Sequence, residues 1–152
     1  MQADVRETIA QVRDLAHGIY PPLLRQAGLP DALRAAAQRS PNAVTVQVDG
    51  VTDRQSADVE AALYFCCLEA LQNIAKHAPD AAATVRLTRA DGLLVLEVAD
   101  DGPGFEPSPA ADGQGRQNMT DRLGAVGGAL AVVSSPGQGT RVRAQVPVGV
   151  RA

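Results

Sequence analysis

EALQNIAKHA, residues 69–78, sits in a stretch that is otherwise almost wholly apolar, yet it carries Glu69, Asn73, Lys76 and His77. At about 100° per residue along a helix, these four side chains share one sector roughly 100° wide. Leu63, Cys67, Ala70, Leu71, Ile74 and Ala78 recur at the spacing of a stripe laid against a core, and that stripe points away from the polar four. Tyr64, Phe65 and Leu68 make much of the remaining circumference apolar as well. A helix from roughly Ser56 to His77 is therefore expected to be covered by protein on most sides, its polar sector lining something other than open solvent. The alternative is a solvated face near a helix end, where Lys76 and His77 favour the negative end of the macrodipole.

The chain has 152 residues, 45% hydrophobic and 20% charged, which suits a soluble domain large enough to bury a core. A net charge of -3 and the lack of any long basic run argue against nucleic acid as a ligand. No apolar run approaches the roughly 20 residues of a membrane helix, and MQADVRETIA at the N-terminus has no secretory apolar region. A cytoplasmic location without direct membrane contact is the expectation. Cys66 and Cys67 are neighbours, and α-carbons about 3.8 Å apart are too close for an ordinary disulfide. They are expected to be free thiols packed as small hydrophobes. Thirteen of the 14 basic residues are arginine, so Lys76, the single lysine, stands out where a compact ammonium would suit a phosphate.

Val5, Ile9, Val12, Ala16 and Ile19 alternate spacings of four and three, the seam of a helical bundle, and Pro21 and Pro22 end that helix. A short helix is predicted from Pro30 to about Arg39, then a strand from Val44 to Val48. After the long helix, AATVRLTRADGLLVLEVAD reads as a hairpin turning at Ala90-Asp91-Gly92. DDGPGFEPSPAADGQGR is too long and polar for a simple connector and reads as a functional or disordered loop. A helix from about Asn118 to Val126 and two strands, ALAVVSS and TRVRAQVPV, close the chain. The order implies a two-layer α/β sandwich of the α+β class, with helices on one face of a mixed sheet, preceded by a bundle-type helix.

Four short signals recur in order. Asn73 lies on a helix, D-x-G-x-G (Asp100, Gly102, Gly104) follows a strand, G-x-G (Gly113, Gly115) precedes a helix, and G-x-G-T ends at Thr140. Glycines permit close backbone approach, and helix N-termini suit phosphate oxygens. Together these resemble the four boxes of the Bergerat-type ATPase fold shared by histidine kinases, DNA gyrase, mismatch-repair ATPases and a heat-shock chaperone, over residues 43–149. Upstream, RDLAHGIYPPLLRQAGLPDAL is similar to the end of the dimerisation domain of sensor kinases that signal to LuxR-like regulators. The resemblance divides the chain into residues 1–42, the last part of a dimerisation and phosphotransfer domain, and 43–149, an ATP-binding catalytic domain.

It implies that Asn73 coordinates the Mg²⁺ bridging the phosphates of ATP, that Lys76 and His77 lie near those phosphates, and that Glu69 orients or activates the acceptor. A single amide ligand suffices for Mg²⁺, which keeps several waters. Asp100 would accept from the adenine amine, Gly102 and Gly104 would permit close packing, and Asp101 would serve as a turn or water-contacting residue. Residues from about Phe105 to Gln117 would form a lid whose Gly113 and Gly115 amides reach phosphate, while Thr140 supports the adenine side. Arg116 departs from the family, which commonly has an apolar residue there. So does the absence of any His-Asp or His-Glu pair. His17, followed by Gly18, belongs to the AHG signature, so the acceptor histidine is expected upstream, on a dimerisation helix of a full-length kinase that passes its phosphoryl group to a response regulator. Rival readings are an anti-sigma-factor-like serine kinase, which would not need AHGIYPPLL or the heptad seam, and a non-catalytic nucleotide-binding or dimerisation module.

Overall fold

The computed structural model describes residues 22–51, 53–104 and 109–148. The expected seam from Val5 to Ile19, His17, Pro21 and residues 105–108 lie outside them. In chain order the elements are α1 (Pro22–Ala27), α2 (Leu29–Arg39), β1 (Ala43–Asp49), α3 (Ala57–His77), β2 (Ala82–Ala90), β3 (Leu93–Asp100), α4 (Pro109–Gly124), β4 (Ala129–Ser134) and β5 (Thr140–Pro147).

The strands form one mixed sheet in the order β1-β2-β3-β5-β4. β1 and β2 run parallel, joined by α3 as a crossover, and every other pairing is antiparallel. Asp91 (φ 55°) and Gly92 (φ 76°) both take positive φ between β2 and β3, as a two-residue hairpin turn requires. Alternation then sorts the faces. Val85, Leu87, Leu94, Leu96, Val98, Ala144 and Val146 are buried on one face. On the other, Gln47, Arg86, Glu97 and Arg143 stand in one row across four strands, and Arg86 donates to Gln47 Oε1 at 3.0 and 3.2 Å. The helices cover the apolar face alone, giving the expected two-layer sandwich.

α3 starts where Ser56 Oγ accepts from the Val59 N–H at 3.2 Å, an N-cap bond typically worth about 1 kcal/mol. Its apolar circumference is buried as the spacing demands, with Leu63, Cys66 and Cys67 at 0% exposure. Both cysteines are free, and burial pushes both thiols up to about 12. Among the described residues no helix is long and apolar enough to cross a membrane.

α1 and α2 bury Leu24, Leu29, Leu33 and Ala36 in the same core as the sheet, so packing is continuous across residue 42. Arg54 fastens them further. Its guanidinium donates to the carbonyls of Leu24 and Arg25, each at 3.2 Å, and pairs with the buried Glu60 at 2.9 Å. One expectation needs correction: α4 begins at Pro109 rather than near Asn118. Proline at the first helical position has φ preset and lacks only an N–H that would have no intrahelical partner. Gly113 and Gly115 thus lie within the helix and do not open it. α4 closes with the Gly128 N–H reaching Leu123 O at 2.7 Å and Gly127 at φ 76°, a glycine-terminated end.

The hairpin turn gives a test remote from the site. Gly92→Ala forces a β-carbon into left-handed backbone and is expected to destabilise the chain by about 1–2 kcal/mol. Urea unfolding should show a lower midpoint with an unchanged slope.

Candidate functional site

The polar sector of α3 is left open by its neighbours. Asn73, Lys76 and His77 are exposed and Glu69 is half-buried. None of the four makes a side-chain hydrogen bond or ion pair among the described residues. Glu69 and His77 are eight residues apart, so the sector runs along about 12 Å of helix.

The D-x-G-x-G segment lies at the end of β3. Asp100 Oδ1 accepts from the Gly102 N–H at 2.8 Å, a local turn that orients the carboxylate. A β-carbon on Gly102 would come within 2.6 Å of Ala78 Cβ, so this loop packs directly against the C-terminal cap of α3. Gly104 (φ 67°) and Gly139 (φ 75°) are tighter still. A β-carbon on Gly104 would strike the carbonyl of Ser135, and one on Gly139 the carbonyl of Asp100. The Gly137 N–H donates to Pro103 O at 2.6 Å, so the two glycine-bearing loops are joined backbone to backbone. Thr140 stands opposite Asp100 in the β3–β5 ladder and shares a 2.8 Å hydrogen bond with Ser134 Oγ.

Asp101 proves to be structural. Its Oδ1 accepts from the Ala82 N–H at 2.9 Å and its own N–H donates to Ala82 O at 3.2 Å, which ties the loop to the start of β2. On the far side, a β-carbon at Gly115 would lie 2.8 Å from Glu69 Oε2, so α4 crosses α3 close against the Glu69 carboxylate. Met119 and Leu123 are buried below this crossing, and the Arg122 guanidinium lies 4.5 Å from the Phe65 ring centroid. The structure thus brings together Glu69 with Gly115, Asp100 with Gly102 and Thr140, and Gly104 with the loop before Thr140. In the helical course of α4 the amides of Gly113 and Gly115 fall at positions that bond to carbonyls one turn back.

Sequence reasoning passed over Asn42, which is 6% exposed and donates from Nδ2 to Ala78 O, Ala81 O and Pro79 O at 2.9, 2.8 and 3.2 Å. Its only local signal is a polar residue between a helix-ending proline and a strand. A cavity of about 110 Å³ beside Arg54 and Glu60 reaches Leu94, at the opposite end of β3 from Asp100, and holds none of the expected site residues.

Comparison with known proteins follows this geometry. The profile described as "Histidine kinase-, DNA gyrase B-, and HSP90-like ATPase" matches residues 58–150. The sensor histidine kinase MctS of Rhizobium johnstonii is 31% identical over 147 residues, covering 91% of this chain and 32% of that protein. The sensor histidine kinase LiaS of Bacillus subtilis is 29% identical over 141 residues, covering 91% and 39%. The chain therefore spans less than half the length of either relative. Among solved structures, full-length ShkA in complex with AMPPNP superposes with a TM-score of 0.64 at 26% identity, covering 81% of this chain and 30% of that one.

Burial raises the Glu69 carboxyl above the ordinary carboxylate range. The folded state therefore holds this proton to higher pH than the unfolded chain. The associated stability is complete below the ordinary carboxylate range and is lost as pH rises through the folded-state value. Glu69→Gln removes that loss. Thermal melts should show the variant gaining on the wild type above the carboxylate range and not below it; an equal gain at both would contradict the assignment.

Proposed function

Because the chain belongs to the histidine kinase-, DNA gyrase B- and HSP90-like ATPase family, we propose that it binds Mg-ATP where α3, the Asp100 loop and α4 converge, as the catalytic domain of a sensor histidine kinase. One observation carries the reading. A carboxylate at the end of β3 is presented beside glycines whose β-carbons would strike backbone, and the open polar sector of α3 runs from the same corner. A flat base recognised through an exocyclic amine suits the first feature, and a polyphosphate suits the second.

Asp100 accepts from the adenine amine, and Thr140, opposite it in the ladder, supports that side. Asn73 fits a hard cation, because its amide oxygen is exposed and otherwise unengaged, and Mg²⁺ takes few protein ligands beside water and phosphate. Among the described residues there is no cluster of three or more His, Cys, Asp or Glu that would instead suit a metal held by protein alone. When bound, the ion neutralises charge developing on the phosphates. Lys76 and His77 lie beside them and offset the negative end of the α3 dipole. Glu69 orients the acceptor imidazole and takes its N–H proton as the N–P bond forms and the bond to ADP breaks. A carboxylate raised by burial is the better base for that step.

The acceptor histidine belongs to a dimerisation and phosphotransfer domain, of which residues 1–42 are the last part, and a response-regulator aspartate receives the phosphoryl group next. The likeness of MctS and LiaS, both sensor histidine kinases, supports this placement. In the proposed active arrangement the start of α4 unwinds and the Gly113 and Gly115 amides turn to the phosphates. Two glycines in a helix interior make that unwinding cheap, at about 1 kcal/mol each relative to alanine.

Asp100→Asn is expected to weaken ATP binding by about 10- to 150-fold, since hydrogen bonds to charged groups contribute roughly 1.5–3 kcal/mol. GTP should bind worse than ATP to the wild type, because its carbonyl would face the carboxylate. Unchanged calorimetric affinity with a normal circular dichroism spectrum would sink the adenine assignment. Asn73→Ala should abolish the Mg²⁺ enhancement of binding while metal-free ADP binds nearly as before. A full Mg²⁺ effect in that variant would disprove the ligand role.

A further inference from the structure

The turn after α3 has an unusual hydrogen-bond supply. Ala78 caps the helix with φ -142°, its N–H donating to Ile74 O at 2.7 Å, and Pro79 follows with no N–H to give. The glycine that commonly closes a helix and satisfies its last carbonyls is absent. Asn42, which lies between α2 and β1 and is 36 residues before Ala78 in the chain, supplies the donors instead. Three carbonyls of one turn, Ala78, Pro79 and Ala81, converge on its Nδ2 at 2.8–3.2 Å.

The amide is oriented by donation alone. Among the described residues Asn42 Oδ1 is buried without a partner, and rotating the group by half a turn would set that oxygen against the three carbonyls. The Asn42 N–H is itself held by Ser40 Oγ at 3.2 Å. The turn that Asn42 grips touches the site at both ends. Lys76 and His77 immediately precede it, and Ala78 Cβ is the atom nearest to any β-carbon placed on Gly102. At its far end the backbone of Ala82 is bonded twice to Asp101.

We propose that Asn42 is a positioning residue of the nucleotide site: by clamping the 78–81 turn it sets the phosphate-facing end of α3 against the Asp100–Gly104 loop. This rests on reading that convergence as a nucleotide site. Asn42 touches no ligand itself. It acts through Ala78 and Gly102, and it makes the α2–β1 joint a part of the site's framework.

The experiment measures Mg-ATP affinity by calorimetry for the wild type, Asn42→Ala, Asn42→Ser and Asn42→Asp, at a temperature where circular dichroism shows each variant folded. Leu33→Ala serves as the control, since it removes core volume under α2 and takes no part in the hydrogen bonds that hold the turn. The Ala variant should lose roughly tenfold or more in affinity, and Ser, which keeps one donor, should lose less. Asn42→Asp should bind poorly when ionised and recover as pH is lowered, because only the protonated carboxyl can donate to a carbonyl. The control should bind as the wild type does despite its lower melting temperature. Should Ala or Asp fail to fold, Asn42→Ser decides the matter alone. Wild-type affinity in the folded Asn42 variants, or an equal loss in Leu33→Ala, overturns the positioning role. A wild-type chain that binds no Mg-ATP overturns the nucleotide reading and this inference with it, so the two failures are distinguishable.

Discussion

Burial of α3 between the sheet and two other helices is the constraint on which the rest of the molecule depends. A 21-residue helix with Leu63, Cys66 and Cys67 fully covered must be enclosed from several directions. The parallel crossover from β1 to β2 lays it across the sheet, α2 closes one flank and α4 the other. Enclosure on those sides leaves one sector open at Asn73, Lys76 and His77, with α4 crossing it at the half-buried Glu69. The polar face is therefore not added to a finished fold. It is the remainder left when the apolar circumference has been satisfied.

A second constraint acts at the ends of β3 and β5, where backbone meets backbone. Van der Waals contact between two chains without β-carbons is closer than any side chain allows, and here it locks the Asp100 loop to the loop before Thr140. The locked corner holds Asp100 still relative to Thr140, because both belong to one rung of the ladder. The α3 side of the site is adjustable by comparison. It meets the corner through the 78–82 segment, where Ala78 and Ala81 face Gly102 and Ala82 is bonded to Asp101, and that segment has a clamp of its own.

Local chemistry made much of this legible. Asp91-Gly92 announces its hairpin because positive φ at two successive residues is tolerated by few dipeptides, and Ser56 marks the start of α3 because its hydroxyl can replace a missing carbonyl. The spacing of apolar residues in α3 predicted its buried face, and the run of four glycine- and carboxylate-bearing signals pointed to the corner where the structure gathers most of them. What was illegible depends on distance in the chain. Asn42 earns its place through carbonyls 36 to 39 residues away, and Arg54 through carbonyls of α1. Neither leaves a periodic or motif signal. The start of α4 was missed for another reason: Gly113 and Gly115 argue locally against helix, while Pro109 favours a helix start and the buried Met119, Leu123 and Arg122–Phe65 contact anchor the helix from its other end.

That uneven anchoring bears on how the site would work. The C-terminal half of α4 is held by core burial and by a guanidinium over a ring. The crossing at Gly115 is a contact between a glycine and the Glu69 carboxylate, which carries a desolvation cost and no hydrogen bond among the described residues. Covering Glu69 disfavours its charged form, which makes the carboxylate a stronger base and gives its ionisation a desolvation cost. Moving the N-terminal part of α4 off Glu69 would relieve that cost while freeing two amides that helix geometry otherwise commits. A ligand bearing phosphates would gain those amides, and the carboxylate would regain solvent or an acceptor imidazole. The same glycines that weaken the helix thus place its release at the point where α4 covers Glu69.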